Sequence, residues 1–299
     1  MHRSYFVPNL DDKEINMTLT EGRTLYREKL KHLYNQNEID FYFKILLSHF
    51  INLDSTQIAL YPEKIIDVNH VQLLNNALHN LLDEKPIQYI TGFAYFRSLD
   101  LIVTPDVLIP RPETEELVEW VLEIYSAEQN PKTVVDIGTG SGCIAISLAK
   151  ELPHFKVIGV DIHPDTLQIA KKNGLRNNVA VEWSQQNILE WEKGFEEVDV
   201  IVSNPPYIMP KEKNQMKKNV LNHEPHIALF VEGEDPLVFY KKIIEYADHC
   251  LKQYGRLFFE VNPLYIEVLK KDVENKKEYT YSERLDIFGK RRMVCLQKI

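Results

Sequence analysis

The sequence predicts a doubly wound α/β sheet, mostly parallel, behind a small N-terminal helical bundle. Three observations give this reading. From Asn130 onward, short apolar runs alternate with amphipathic segments, as in repeated strand–helix units. Up to about Glu84, apolar residues recur only at helical spacing, with no strand pattern between them. The last two apolar runs, Tyr279 to Ile287 and Met293 to Leu296, have no helix between them, so the closing pair is antiparallel.

Residues 1–84 form the helical part. Tyr26, Leu30, Leu33 and Tyr34 share one helical face, and Phe41 to Phe50 is a dense apolar helix. Asp54 with Gln57 predicts a capping box on a short helix ending before Pro62. Val71, Leu74, Leu78, Leu81 and Leu82 mark a further amphipathic helix. Residues 85–112 read as a linker with a hairpin, because Leu99, Leu101 and Val103 alternate and pair with the stretch Tyr89 to Tyr95. Pro112 suits the first turn of a helix carrying Leu117, Val118, Val121 and Leu122.

The sheet domain is 113–299. Its predicted strands are Val134 to Ile137, Val157 to Val160, one near Val181, Val198 to Val202 and Leu257 to Phe259, followed by the closing pair. The predicted helices are Cys143 to Glu151, Pro164 to Asn173, Pro236 to Leu251 and Pro263 to Val273.

Composition narrows the function. With 44% hydrophobic and 26% charged residues, 299 residues supply an ordinary globular core. A net charge of -9 argues against a protein that grips nucleic acid through its phosphates. Cys143, Cys250 and Cys295 are widely spaced with no CxxC, so neither a zinc site nor a disulfide framework is expected. The polar first residues predict no secretory leader, and no apolar run reaches membrane-spanning length. A monomer acting in the cytoplasm is the expectation.

Asp136-Ile137-Gly138-Thr139-Gly140-Ser141-Gly142 joins a predicted strand to a predicted helix. Glycines there allow a tight turn and let a ligand lie against bare backbone. Asp161 ends the next strand, where an acid accepts hydrogen bonds from both ribose hydroxyls of a nucleoside. The plainer reading is a tight turn with Asp161 capping the following helix. Strand, helix and acid in the right order favour the nucleoside. The Gly-Lys-Ser/Thr of a Walker loop is absent. The spacing is GxGxG rather than the GxGxxG of dinucleotide folds, closer to S-adenosylmethionine enzymes.

Ser203-Asn204-Pro205-Pro206-Tyr207 follows another predicted strand, so it belongs beside the glycine loop at the carboxyl edge of the sheet. A planar amino group has two in-plane hydrogens. The Asn204 side-chain oxygen and the Pro205 carbonyl each accept one. Pro205 and Pro206 stiffen the backbone, and the Tyr207 ring offers a flat face. Amide nitrogen is a poor nucleophile because its lone pair is delocalised. Two acceptors on its hydrogens push density onto nitrogen and aim it at a methyl-sulfonium carbon, and positioning of this kind contributes roughly 7–11 kcal/mol in the best cases. A bare proline turn is the competing account of this segment alone.

The chain resembles the release-factor glutamine methyltransferase family, PrmC/HemK, of class I S-adenosylmethionine methyltransferases. The segments that carry the resemblance are Pro86-Ile87-Gln88-Tyr89-Ile90-Thr91-Gly92, Leu108-Ile109-Pro110-Arg111-Pro112-Glu113-Thr114-Glu115, Asp136 through Gly142, Ser203 through Tyr207, and Glu224-Pro225 with Ala228-Leu229. They span roughly Pro86 to the C-terminus, and the helical residues before them fit the family's substrate-recognition domain. The resemblance implies a Rossmann-like class I methyltransferase fold and methyl transfer from S-adenosylmethionine, leaving S-adenosylhomocysteine. The acceptor implied is the glutamine of the Gly-Gly-Gln loop in class-1 peptide chain release factors. It implies cofactor contacts from Gly138, Thr139, Gly140, Ser141, Gly142, Asp161, Asn187, Ile188 and Asn204. It implies a glutamine seat from Asn204, Pro205, Pro206 and Tyr207, with Asn204, Pro205 and Tyr207 catalytic. The sequence departs from the family pattern at Asn187, where Asp is common, at Glu260-Val261-Asn262 in place of Glu-x-Gly, and at Gly233-Glu234-Asp235-Pro236.

Other features have plainer readings. Pro-Arg-Pro-Glu-Thr-Glu, apart from a role of Arg111, Glu113 and Thr114 at the substrate mouth, starts a helix with acids in its first turn. Tyr95 and Phe96 read as core rather than as a glutamine channel. His223-Glu224-Pro225-His226 is not a metal site, because the proline breaks helical spacing. Lys290-Arg291-Arg292 reads as a solvated turn, and Lys211 to Lys218 as an exposed loop able to order over substrate. Two rival functions stay open: methylation of adenine N6 in nucleic acid or of a ribosomal-protein glutamine, and a non-catalytic protein that kept the cofactor fold.

Overall fold

The computed structural model describes residues 16–191 and 194–299; the first residues, on which the expectation of no leader rests, lie outside it. The chain divides into two compact units, the first ending at Thr91 and the second running from Gly92 to Ile299.

The first unit holds β1 (Met17–Thr18), α1 (Leu19–Leu30), α2 (Gln36–Ile51), α3 (Ser55–Leu60), β2 (Ile65–Ile66), α4 (Val68–Leu82) and α5 (Ile87–Thr91). Its core is Tyr26, Leu30, Phe43, Leu46, Leu47, Leu74, Leu78 and Leu81. The buried Tyr26 hydroxyl donates to the Leu74 carbonyl at 2.6 Å, which joins α1 to α4. Asp54 and Gln57 form the predicted capping box. Three local expectations change. A two-residue antiparallel ladder, Met17 with Ile66 and Thr18 with Ile65, interrupts the helices; it is too short to show a period-2 pattern. Helix α1 stops at Leu30, before Leu33 and Tyr34. Residues 87–91, read as part of a hairpin, form a short helix.

The second unit opens with the antiparallel hairpin β3 (Phe93–Phe96) and β4 (Leu99–Ile102). There follow α6 (Pro112–Tyr125), β5 (Thr133–Ile137), α7 (Cys143–Glu151), β6 (Lys156–Asp161), α8 (Pro164–Arg176), β7 (Glu182–Gln185) and β8 (Val198–Ser203). A 3-10 turn (Pro210–Gln215), α9 (Lys218–His223), α10 (His226–Leu229), α11 (Val238–Cys250), β9 (Leu251–Glu260), α12 (Ile266–Lys276), β10 (Tyr279–Leu285) and β11 (Arg291–Lys298) complete it. The seven-stranded sheet has the order β10-β11-β9-β8-β5-β6-β7. The five strands from β9 to β7 are parallel, and β11 runs antiparallel to both β9 and β10. Strand β9 starts at Leu251, which was read as the end of a helix, because Leu251 already pairs with Val198.

Successive strand residues point to opposite faces of the sheet. Val134, Val200, Val202 and Phe258 pack under α6 and α7. Val135, Ile137, Ile201 and Phe259 pack under α11 and α12. Buried on both faces, the inner strands read as unbroken apolar runs. Phe96 is fully buried as expected, whereas Tyr95, on the other face of its strand, is 83% exposed and not core. Arg291 and Arg292 belong to β11 rather than to a solvated turn. Arg291 pairs with Glu283 and Glu267, and Arg292 with Asp286.

Strand order reverses direction at β5, with β6 on one side and β8 on the other. The carboxyl ends of these strands therefore flank a crevice, the expected ligand position in an open α/β sheet. The glycine loop leaves β5 and the Asn-Pro-Pro-Tyr segment leaves β8. Ile137 and Ser203 are register partners, and the Ser203 hydroxyl donates to the Ile137 carbonyl at 2.7 Å.

Candidate active site

A cavity of about 900 Å³ occupies that crevice, within the usual range for a cofactor-sized ligand, roughly 300–1,000 Å³. Gly138, Gly140, Asp161, Asn187, Ile188, Asn204, Pro205 and Pro206 all line it. Thr139, Ser141, Gly142 and Tyr207 stand behind that lining, and each has a different partner there.

The glycine loop is built from local bonds. Gly138 has φ 73°, and a Cβ added to it would meet no atom within 4 Å, so its bare backbone faces open space. Gly140 donates its N–H to Asp161 Oδ2 at 3.0 Å, and His163 N–H reaches Asp161 Oδ1 at 3.1 Å. Each carboxylate oxygen keeps a lone pair for a ligand hydroxyl. Burial raises the Asp161 pKa, opposed by those two backbone N–H groups. Gly142 caps α7 with φ 83°, and a Cβ there would strike Ile146 at 2.9 Å and Trp183 at 3.0 Å. Thr139 donates its hydroxyl to Asp136 Oδ2 at 2.6 Å. The Ser141 carbonyl accepts from buried Asn173 at 2.9 Å.

Asp136 is fully buried. Its Oδ2 also accepts from Ala145 N–H at 3.1 Å, while Oδ1 has no hydrogen-bond partner. Burial pushes its pKa up to about 7, against the pull of Thr139 and Ala145. An unpaired carboxylate oxygen below the glycine loop, a bare-backbone cradle above it and an acid ending β6 suit a cationic nucleoside such as S-adenosylmethionine. Asn187 is placed differently from expectation. Its side-chain oxygen accepts from Leu189 N–H at 3.0 Å, so part of the acceptor capacity read for adenine is spent on its own loop.

The acceptor side depends on distant residues. Asn204 donates an amide N–H to Thr114 Oγ1 at 3.0 Å, which leaves its Oδ1 unpartnered among the described residues. Thr114 in turn donates to Glu260 Oε2 at 2.7 Å. The Tyr207 hydroxyl donates to Glu260 Oε1 at 3.1 Å. Burial raises the Glu260 pKa, opposed by Thr114, Arg292 and Tyr207. The Tyr207 ring packs against the core under α11 rather than lining the cavity. Asn262, one of the departures noted above, donates to the Tyr207 carbonyl and to Glu212 Oε2, each at 3.2 Å.

Sequence reasoning missed Glu260 and undervalued Arg111 and Thr114. Arg111 reaches both oxygens of Glu224, at 2.7 and 2.6 Å, with the Glu224 side chain only 1% exposed. The motif 110–115 thus does more than start a helix, although Pro112 sits in the first turn as read. Asp106, His163, Phe230 and Phe239 also line the cavity and carried no sequence signal. The segment 211–218 is not an open loop. A 3-10 turn and the start of α9 fill it, with the Lys213 ammonium 4.5 Å from the centre of the Phe230 ring. Among the described residues no group of three or more His, Cys, Asp or Glu is placed to hold a metal ion, and no helix is long and apolar enough to cross a membrane.

Comparison with known proteins gives the same reading of the fold. The family model described as "Methyltransferase small domain" matches residues 119–242, and that described as "PrmC N-terminal domain" matches residues 24–92. "Release factor glutamine methyltransferase" of Flavobacterium psychrophilum is 42% identical over 93% of this chain and 98% of that protein. The protein of the same name from Bacteroides thetaiotaomicron is 38% identical over 91% and 97%. Among solved structures, the hMettl16 catalytic domain in complex with the MAT2A 3'UTR hairpin 6 superposes with TM-score 0.54 at 16% identity, covering 84% of this chain and 91% of that one. At that identity the likeness is one of fold, the class I methyltransferase sheet with its antiparallel C-terminal pair.

Proposed function

This chain belongs to the release factor glutamine methyltransferase family, and from that premise we propose that it methylates the side-chain amide of the glutamine in the Gly-Gly-Gln motif of class-1 peptide chain release factors. The chain is an enzyme, a methyltransferase that uses S-adenosylmethionine. When bound, the cofactor supplies an electrophilic methyl on a sulfonium sulfur and departs as S-adenosylhomocysteine.

The observation that carries the reading is the Asn204 carboxamide, whose N–H is tied back to Thr114 while its oxygen remains unpartnered beside the glycine-lined cavity. In this proposal Asn204 Oδ1 and the Pro205 carbonyl accept the two glutamine amide hydrogens. They hold the nitrogen in one orientation and raise its electron density along the line of attack. Pro206 keeps the turn rigid, and Tyr207 supports it from behind through Glu260. Gly138, Gly140, Asp161 and Ile188 seat the nucleoside, with the loop around Thr139, Ser141, Gly142 and Asn187 shaping that seat. As nitrogen gains the methyl, it gives up one proton to solvent. Residues 1–84 serve to recognise the release factor, and 113–299 do the chemistry, joined by 85–112. The enzyme works as a monomer in the cytoplasm and needs no nucleic acid.

Incubating the purified chain with S-adenosylmethionine and unmethylated release factor tests this. The tryptic peptide holding Gly-Gly-Gln is expected to gain one methyl group in mass, with the label on glutamine in fragment spectra. An active preparation that labels DNA, RNA or a ribosomal protein and leaves that peptide unchanged would refute the substrate.

A further inference from the structure

We infer that Glu260 and Thr114 are positioning residues that decide which way the Asn204 carboxamide faces; the inference rests on the proposed role of Asn204 as acceptor of the glutamine N–H groups. A carboxamide has two ends of nearly equal shape and opposite polarity. With its oxygen toward the substrate it accepts an N–H. Turned over, it presents donor to donor. Nothing within the tetrapeptide selects between these states, since Pro205 and Pro206 have no N–H to offer.

The selection comes from a directional relay. An ionised carboxylate only accepts hydrogen bonds. Glu260 Oε2 therefore takes the one Thr114 hydroxyl proton, at 2.7 Å. Its proton committed, Thr114 Oγ1 can only accept, and it takes the Asn204 N–H at 3.0 Å. The carboxamide oxygen is the end left over. Glu260 Oε1 meanwhile accepts from Tyr207 at 3.1 Å, so one carboxylate governs both ends of the tetrapeptide. Glu260 and Thr114 are 1% and 3% exposed, so water does not compete for these bonds. They come from the end of β9 and the first turn of α6. Packing alone would be served as well by apolar residues of the same shape. The arrangement of donors and acceptors is what requires Thr and Glu.

Glu260→Gln tests the polarity directly. The new amide accepts from Tyr207 and donates to Thr114, whose proton then turns to Asn204 and draws its oxygen away from the substrate. Thr114→Val removes the relay at nearly constant shape, and Thr114→Ser keeps it. With full-length enzyme, release factor and S-adenosylmethionine, we expect kcat to fall about tenfold or more in Glu260→Gln and Thr114→Val. Calorimetric Kd for S-adenosylmethionine should stay within about threefold in both, and Thr114→Ser should recover most of the turnover. Parental kcat in either Glu260→Gln or Thr114→Val overturns the inference while leaving the function intact. So does a fall in Thr114→Ser equal to that in Thr114→Val. If one variant fails to fold, the other decides. A parent enzyme that binds cofactor but leaves the release factor unmethylated removes the proposed function, and the inference with it.

Discussion

The glycine loop after β5 and the Asn-Pro-Pro-Tyr turn after β8 stand side by side, yet opposite means hold them. The loop is held by near neighbours and by backbone freedom. Thr139 caps Asp136 three residues away, and Gly140 meets Asp161 across one strand–helix unit. The turn has little backbone freedom. Its orientation depends on Thr114 and Glu260, 90 and 56 residues from Asn204. The difference suits the two tasks. A cofactor seat needs bare backbone and a few fixed acceptors. A substrate seat must present one polarity to one small group, and only a network anchored in the core fixes that.

Three variants sharpen the contrast. The largest effect is expected from Asn204→Ala. Removing one preorganised polar contact from a reacting group costs about 10²–10³-fold in turnover, whereas the Kd for S-adenosylmethionine should change much less in calorimetry. Comparable losses in both would show that the two seats are not separate. Next comes Gly138→Ala, the reverse case. A non-glycine residue in the left-handed region costs roughly 1–2 kcal/mol, so cofactor affinity should weaken about tenfold while kcat at saturating cofactor stays near the parent value. An unchanged Kd would mean that bare backbone at φ 73° is not what the ligand needs.

The smallest effect is on stability. Asp136 has its pKa raised by burial to about 7, from about 3.9 in an unfolded chain. The folded state therefore holds the proton more tightly, and this contribution to stability is complete below about pH 4 and lost as pH rises through about 7. Thermal melts of the cofactor-free protein should show that decline between those limits, and Asp136→Asn should flatten it. A parallel decline in the variant would assign the slope to other groups.

The same contrast explains what the sequence disclosed. The glycine loop and Asp161 were legible because their determinants are local: positive-φ glycines between a strand and a helix, and an acid at a strand end. The sheet was legible because strands buried on both faces read as apolar runs. The antiparallel close was legible from the missing helix between the last two strands. The Asn204 relay was not legible, since Thr114 looks like any residue in a helix's first turn and Glu260 like the polar end of a strand. Their pairing spans 146 residues and exists only once the sheet brings α6 over β9. Arg111 and Glu224, 113 residues apart, were hidden for the same reason. Tyr207 was given a face toward the substrate because aromatic rings suit planar groups; its hydroxyl bond to Glu260 turns it inward instead.

One bond described above has a wider consequence. Ser203 is hydrogen-bonded to Ile137, and the two are register partners on adjacent strands. The root of the methyl donor's seat and the root of the acceptor's seat are therefore one interstrand step apart, about 4.8 Å in any sheet. The reach of the reaction is thus a lattice constant of the β-ladder, not a property of either loop. Insertions in the surrounding loops can retune recognition without changing the distance the carbon must travel.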